Sequence, residues 1–219
     1  MGKSLRYQVI YADPPWKFKT WSAKGTGRSA VSHYKVMPLP AIIKYMQDKL
    51  ERYAADDCAV CMWCPGEMLH WGMQIFAACG VEYIKPMFVW AKTTKHGKWH
   101  FSTGYYTRNN PEFMLFGRIG KPKCRSRSVR QLQIFPLRQH SQKPDEFRDL
   151  IEQLFAGPYL ELFARQTKLF WHSIGDQVGL LDEGPVKTRR QPSNLRAHHE
   201  TTRPLQAANK QKLHRVRTR

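Results

Sequence analysis

Acidic residues are scarce in this chain. Only 17 Asp and Glu stand against 36 Lys and Arg among 219 residues, which leaves a formal net charge of +19 at pH 7. A field of that size and sign exceeds what solubility needs and attracts polyanions, nucleic acid ahead of an anionic membrane. Long apolar runs are missing too: nothing approaches the roughly 18 consecutive apolar residues of a membrane-spanning helix. The opening MGKSLRYQVIYADPP has neither the apolar run nor the cleavage site of a secretory signal. These absences predict a soluble, intracellular, cytoplasmic protein that does not enter a membrane. Cysteine is sparse, five in all and irregularly spaced, as in a reducing compartment where thiols stay free. Cys58, Cys61 and Cys64 invite a metal, but CAVCMWC reads as a buried strand on which Cys61 faces away from the other two. Tetrahedral ligation needs converging side chains. His96, His100, His172, His198 and His199 show no ligand spacing on a shared face, so no metal is assigned. A Gly-x-Gly-x-x-Gly loop is also missing, and with it the expected cradle for a pyrophosphate.

What is present suffices for one ordinary domain with a substantial core, 42% of the residues being hydrophobic. Tyr7–Ala12 reads as a short strand that stops at Asp13-Pro14-Pro15, and strand ends are where open α/β sheets place their active sites. Residues 38–53 put Leu39, Ile42, Ile43, Met46 and Leu50 on one helical face. After a Cys58–Cys64 strand, Pro65 opens a second helix that ends at Gly80, and Tyr83–Trp90 returns to strand character. A polar stretch from Lys92 to Asn109 precedes another strand, Phe113–Gly117, and the loop from Arg118 to Arg130 is basic without a single acid. The clearest helix spans 144–155. Pro144 takes its first position, Asp145 and Glu146 sit in the positive first turn, and Phe147, Leu150, Ile151, Leu154 and Phe155 share a face. Gly157-Pro158 ends it, and Tyr159–Ala164 and Leu169–Ile174 read as two further strands. This alternation predicts the α/β class, with helices on both faces of a sheet. From Asp182 onward, ten Lys or Arg meet three acids and almost no large apolar residues. Such a segment cannot offset its ordering entropy. The predicted division is a domain over 1–181 and a basic, disordered tail over 182–219.

The chemistry gathers at residues 13–16. Asp13 at the end of a rigid strand and the Pro14 carbonyl provide two hydrogen-bond acceptors at fixed geometry, and Trp16 provides a ring that can stack on a base. Adenine's amino nitrogen is a poor nucleophile because its lone pair is delocalised into the ring. Acceptors aimed at its hydrogens localise that pair toward a methyl donor. A target inside a duplex must first leave its stack. Taken alone, the four residues also suit a turn after a strand.

Tyr11-Ala12-Asp13-Pro14-Pro15-Trp16, His33-Tyr34, the segment from Gly104 to Glu112, His140-Ser141-Gln142-Lys143-Pro144 and Leu160-Glu161-Leu162-Phe163-Ala164-Arg165 follow one another along the chain. In that order they resemble the MT-A70 family, N6-adenine methyltransferases related to the catalytic subunit of the messenger-RNA adenosine methyltransferase. The compact bacterial and phage members are the nearest in form. The resemblance implies a Rossmann-like methyltransferase fold with a mixed, mainly parallel sheet. Its motif order is permuted, the catalytic motif preceding the cofactor strand, and the cofactor is S-adenosylmethionine. It implies Asp13, Pro14, Pro15 and Trp16 as the catalytic set, with Tyr34 beside the base. Around the cofactor it places Ala12, Asp13, Lys143, Glu161, Leu162, Phe163, Arg165 and Gln177, with Lys143 at the amino-acid carboxylate and Glu161 at the ribose. Arg108 and Asn109 are candidates for positioning the flipped nucleotide, a solvated turn being the alternative. Gly175-Asp176 departs from the Gly-Asn that the family often has there, replacing an amide donor by an acceptor. The implied substrate is the adenine N6 amino group in nucleic acid, DNA favoured over RNA. The alternatives are an RNA adenosine methyltransferase and a noncatalytic nucleic-acid-binding partner subunit of the same fold. Retention of Asp13 and Trp16 argues against the last.

Overall fold

A strand of six residues, Tyr7–Ala12 (β1), is the axis of the fold, and five of its six side chains are buried. Strands covered on both faces read as continuous apolar runs, and YQVIYA is one but for Gln8, the exposed position. In this computed structural model, residues 5–17, 36–104, 106–139, 141–175 and 178 are described. The tail expected from Asp182 on lies outside them, as do Tyr34, Asp176 and Gln177.

On one side β1 pairs in parallel with Ala54–Cys64 (β2), and on the other with Tyr159–Leu162 (β6), so that Ala12 lies between Met62 and Leu162. Trp171–Ile174 (β7) closes that edge in parallel. Beyond β2 the sheet continues through Glu112–Ile119 (β4), antiparallel, then Glu82–Thr93 (β3) and Leu132–Pro136 (β5). The order is β5-β3-β4-β2-β1-β6-β7. Only β4 runs against the others, so the sheet is mixed and mainly parallel as expected. The chain leaves β1 toward β2 and returns much later to β6. The C-terminal end of β1 is therefore the switch point at which open sheets form a crevice.

Helices cover both faces. Leu39–Tyr53 (α1) and Leu69–Ala78 (α2) lie over Ile10, Cys58, Val60, Met62, Leu160 and Leu162. Glu146–Leu154 (α3) lies over Val9, Tyr11, Ala59, Cys61 and Trp63. The period of two within β2 sends Cys58 and Cys64 to one face and Cys61 to the other. On the α3 side the core is aromatic: Phe147 meets the rings of Trp63, Phe88, Trp90 and Phe135 at centroid distances between 4.8 and 6.2 Å. Truncating a buried ring of this kind to alanine costs about 3 to 5 kcal/mol.

Several boundaries differ from the expectation, each for a local reason. β6 ends at Leu162 rather than Ala164 because Phe163 turns to φ 60°, and β7 begins at Trp171 rather than Leu169 because Phe170 has φ 69°. A 3-10 turn, Gly66–Met68, precedes α2. Gly80 ends that segment at φ 66°, as its predicted role requires. The sequence pattern does not predict β5. Leu132 and Ile134 are more than half exposed, so no burial periodicity marks the segment, and pairing with β3 makes it a strand. Among the described residues no helix is long and apolar enough to cross a membrane.

Candidate active site

The prolines after Asp13 remove backbone donors and end the ladder of β1. The chain beyond them is fastened by its remaining polar groups. The Trp16 N–H donates to the Pro14 carbonyl at 2.9 Å, and the Met37 N–H donates to the Pro15 carbonyl at 2.9 Å. The Trp16 indole N–H donates to the Trp63 carbonyl at 3.3 Å, and the ring is only 3% exposed. Trp16 is thus a core anchor that ties the motif to β2. The expected stacking ring is not on the cavity wall, because this bond turns the indole inward.

Asp13 faces a chain of alternating charge. Lys143 Nζ lies 3.1 Å from both Asp13 carboxylate oxygens and 3.3 Å from Glu112 Oε2, while Lys92 Nζ lies 2.6 Å from Glu112 Oε1. Lys143 also sits over the Trp63 ring and Lys92 over the Trp90 ring, at 5.4 and 5.1 Å from the centroids. Burial alone would raise the Glu112 carboxyl, but Lys143 and Lys92 outweigh it and bring it down to about 2. In the sequence Glu112 stands out only as the end of a motif. A signal for it exists all the same: it is the single acid between Glu82 and Asp145, so a lone carboxylate has to serve a strongly cationic stretch.

Beside Asp13 opens a cavity of about 550 Å³, walled by Pro14, Pro15, Met37, Tyr45, Ser141, Phe163, Arg165 and Gly175 among others. The backbone is bent to make it. Ser141 and Phe163 both hold positive φ, at 57° and 60°, a conformation uncommon for residues that carry side chains. Phe163 lies against Tyr45 at 4.5 Å between ring centroids, and Arg165 donates to the Ser141 carbonyl at 2.7 Å. Gly175 passes so close to Ala164 that a Cβ there would come within 2.2 Å of its carbonyl oxygen.

A smaller recess adjoins this cavity, lined by Tyr11, Asp13, Lys143, Arg148, Glu161 and Arg165 among others. Glu161 stands one residue before the end of β6, 7% exposed, and accepts from Arg148 Nη1 at 2.6 Å. Burial pushes its carboxyl up to about 7, against the pull of Arg148. Arg148, 3% exposed on α3, also donates to Asp145. An arginine buried on an amphipathic helix is a break in the helical pattern that the sequence reading passes over.

The expected residues therefore separate. Asp13, Phe163 and Arg165 line both cavity and recess, while Lys143 and Glu161 line the recess. Ala12 and Leu162 are fully buried in the sheet, and their side chains form no wall of the cavity. Asn109 instead fastens a turn: its amide donates to Glu67 and its carbonyl accepts from the Ser102 N–H at 2.8 Å. Arg108 is exposed. The Cys58 and Cys64 thiols are pushed up to about 12 by burial, which makes them inert core residues.

With this geometry, likeness to known proteins becomes informative. The MT-A70 family model matches residues 7–177. The type II methyltransferase M.MunI of a Mycoplasma species is 35% identical over 188 residues, 79% of this chain and 78% of that protein. The human N(6)-adenine-specific methyltransferase METTL4 is 27% identical over 190 residues, 78% of this chain and 37% of its own. A putative N(6)-adenosine-methyltransferase MT-A70-like protein of Medicago truncatula is 26% identical over 191 residues, 82% of this chain and 28% of its own. The chain spans most of M.MunI but well under half of the other two. The match encloses β1, the cavity and the charged recess together, and the chain belongs to the MT-A70 family.

Proposed function

We propose that this chain is an adenine N6 methyltransferase that uses S-adenosylmethionine and acts on DNA. Asp13 carries the reading: an anionic acceptor at the tip of β1, held by Lys143 at 3.1 Å, that opens on a cavity of about 550 Å³. That volume lies within the roughly 300–1,000 Å³ of small-molecule sites, which combine apolar walls with a few convergent polar groups. The walls here suit a nucleoside-based cofactor. Phe163 and Tyr45 offer faces to a heterocycle and Arg165 offers a cation to a carboxylate, while from the adjoining recess Lys143 offers a second cation and Glu161 an acceptor to ribose hydroxyls. Bound there, S-adenosylmethionine supplies a methyl group activated by a positively charged sulfur.

The protein's own groups do the rest. Asp13 accepts one amino hydrogen of adenine. The Pro14 carbonyl, one lone pair of which already takes the Trp16 N–H, accepts the other with its second pair. Held in this way, the nitrogen lone pair points out of the ring plane toward the cavity. The Asp13 carboxylate stabilises the positive charge that grows on the nitrogen during attack, and it is the nearest acceptor for the proton that the nitrogen then sheds. Lys143 keeps this carboxylate in place, and Glu112 balances Lys143.

DNA rather than RNA is supported by the fuller mutual coverage with a type II methyltransferase than with the N(6)-adenosine-methyltransferases. The positive surplus supports nucleic acid in general. The basic segment from Asp182 on belongs to the same reading, as a source of phosphate contacts outside a domain over 1–181. Incubation with labelled S-adenosylmethionine and separate DNA and RNA pools, followed by nucleoside analysis, tests it. N6-methyldeoxyadenosine is the expected product. Label confined to RNA moves the substrate, and label in neither pool leaves the noncatalytic alternative.

A further inference from the structure

In the connection between β3 and β4, residues 94–111, none of the described residues is buried. Its described residues include three exposed large rings: Trp99 is 54%, Phe101 56% and Tyr106 109% accessible. The segment holds no acid and three cations, Lys95, Lys98 and Arg108. It is nevertheless fastened. The Thr94 N–H donates to the Lys98 carbonyl at 2.7 Å, the His100 N–H to the Lys92 carbonyl at 3.0 Å, and Trp99 bridges Thr93 in antiparallel fashion. At its far end Asn110 clamps the Lys92 backbone, accepting from its N–H at 3.0 Å and donating to its carbonyl at 2.9 Å. Rings mounted on a hairpin this well tied are held out to solvent by construction, although water is the least favourable neighbour for them.

The hairpin also rises from the same end of the sheet as Asp13. β3 runs in the direction of β1, so its end and the start of β4 lie at the edge of the sheet where β1 delivers Asp13. One residue links the two: Glu112 follows the hairpin and meets Lys143 at 3.3 Å, and Lys143 meets Asp13 at 3.1 Å. Trp99 and Phe101 are two residues apart on the returning arm, the spacing that places side chains on one face of an extended chain.

We propose that this hairpin is a wedge that enters duplex DNA beside the target adenine, with Trp99 and Phe101 filling the gap in the base stack and the hairpin's cations on the flanking phosphates. The proposal rests on the adenine N6 reading above. An adenine inside a duplex cannot reach Asp13 until it is unstacked, and enzymes that act on bases extrude them. Apolar side chains inserted at a base step replace the lost stacking. Exposed rings, flanking cations and proximity to the reacting carboxylate are the three requirements of such a device, and residues 94–111 combine them.

The test compares the full-length protein with the W99A/F101A double variant on unmethylated genomic DNA, native or heat-denatured and rapidly cooled. On native duplex, kcat/KM for methyl transfer falls by about 10- to 100-fold in the variant, corresponding to part of the cost of unstacking one step. On denatured DNA it stays within about threefold of the parent, since the target is already free. Trp99→Leu, which keeps an apolar wedge, recovers most duplex activity and guards against a folding defect, with unfolding temperature measured alongside. Equal losses on both DNA forms, no loss on the duplex, or a parent active only on denatured DNA each overturn the wedge. A parent that transfers methyl groups to neither form refutes the adenine reading itself, and the wedge with it.

Discussion

Glu112 and Glu161 lie on opposite sides of Asp13, each largely buried and each against a cation, yet their surroundings push them in opposite directions. Glu112 has two ammonium groups, Lys143 and Lys92, and is held near 2. Glu161 shares the single guanidinium of Arg148 with Asp145, and burial prevails, raising it to about 7. At Glu161 burial, with Asp13 and Asp145 nearby, outweighs one guanidinium, whereas at Glu112 two ammonium groups outweigh burial. The result is a fixed charge on the Lys143 side of Asp13 and a protonatable group on the Arg148 side.

The largest expected effect tests the carboxylate between them. Asp13→Asn keeps shape and one acceptor but loses the charge, and turnover should fall about 100- to 1,000-fold, or about 2.7 to 4 kcal/mol, with S-adenosylmethionine binding preserved. If Asp13 only forms a turn, asparagine replaces it well, and activity within about threefold of the parent in folded protein discards the mechanism.

Next comes the contrast itself, read as stability against pH. Glu112 sits below its ordinary 4.5, so its contribution is present above that value and lost as pH falls toward about 2. Glu161 sits above 4.5, so its contribution is complete below that value and lost as pH rises through about 7. At about 1.4 kcal/mol per pH unit each amounts to on the order of 3 kcal/mol. Denaturant unfolding of the parent should approach that of Glu112→Gln as pH drops from 4.5. Against Glu161→Gln the parent should lose ground between 4.5 and 7. Parallel curves for either variant remove that half of the contrast.

A smaller effect sharpens the role of Lys143. Lys143→Ala removes a charged hydrogen bond, and the dissociation constant for S-adenosylmethionine should rise about 10- to 100-fold, or about 1.5 to 3 kcal/mol. Calorimetry that finds unchanged affinity together with reduced turnover assigns Lys143 to Asp13 alone.

Much of this is legible in the sequence because periodicity and punctuation are local. Tyr7–Ala12 carries its burial in its own residues, and Asp13-Pro14-Pro15 ends it wherever the strand is placed. The face of α1 through Ile42, Met46 and Leu50 is equally plain. The features that stay hidden depend on partners distant in sequence. β5 is a strand only because β3 accepts it. Trp16 reads as a stacking ring until the Trp63 carbonyl is seen to receive its N–H. The pairings of Glu112 with Lys143 and of Arg148 with Glu161 likewise join residues that no local pattern connects.

The central place of β1 also bears on how the chain is made. Synthesised before either neighbour, this strand finds β2 early, but its other neighbour, β6, follows only about 150 residues later, a pairing of high contact order and slow closure. Until then a nascent chain carries one bare, apolar edge at its middle, the kind of surface that chaperones recognise and that aggregation exploits. Asp13 leaves the ribosome well ahead of Lys143, Phe163 and Arg165, which line the cavity and recess around it. Those walls are thus missing from any nascent chain that has not reached them.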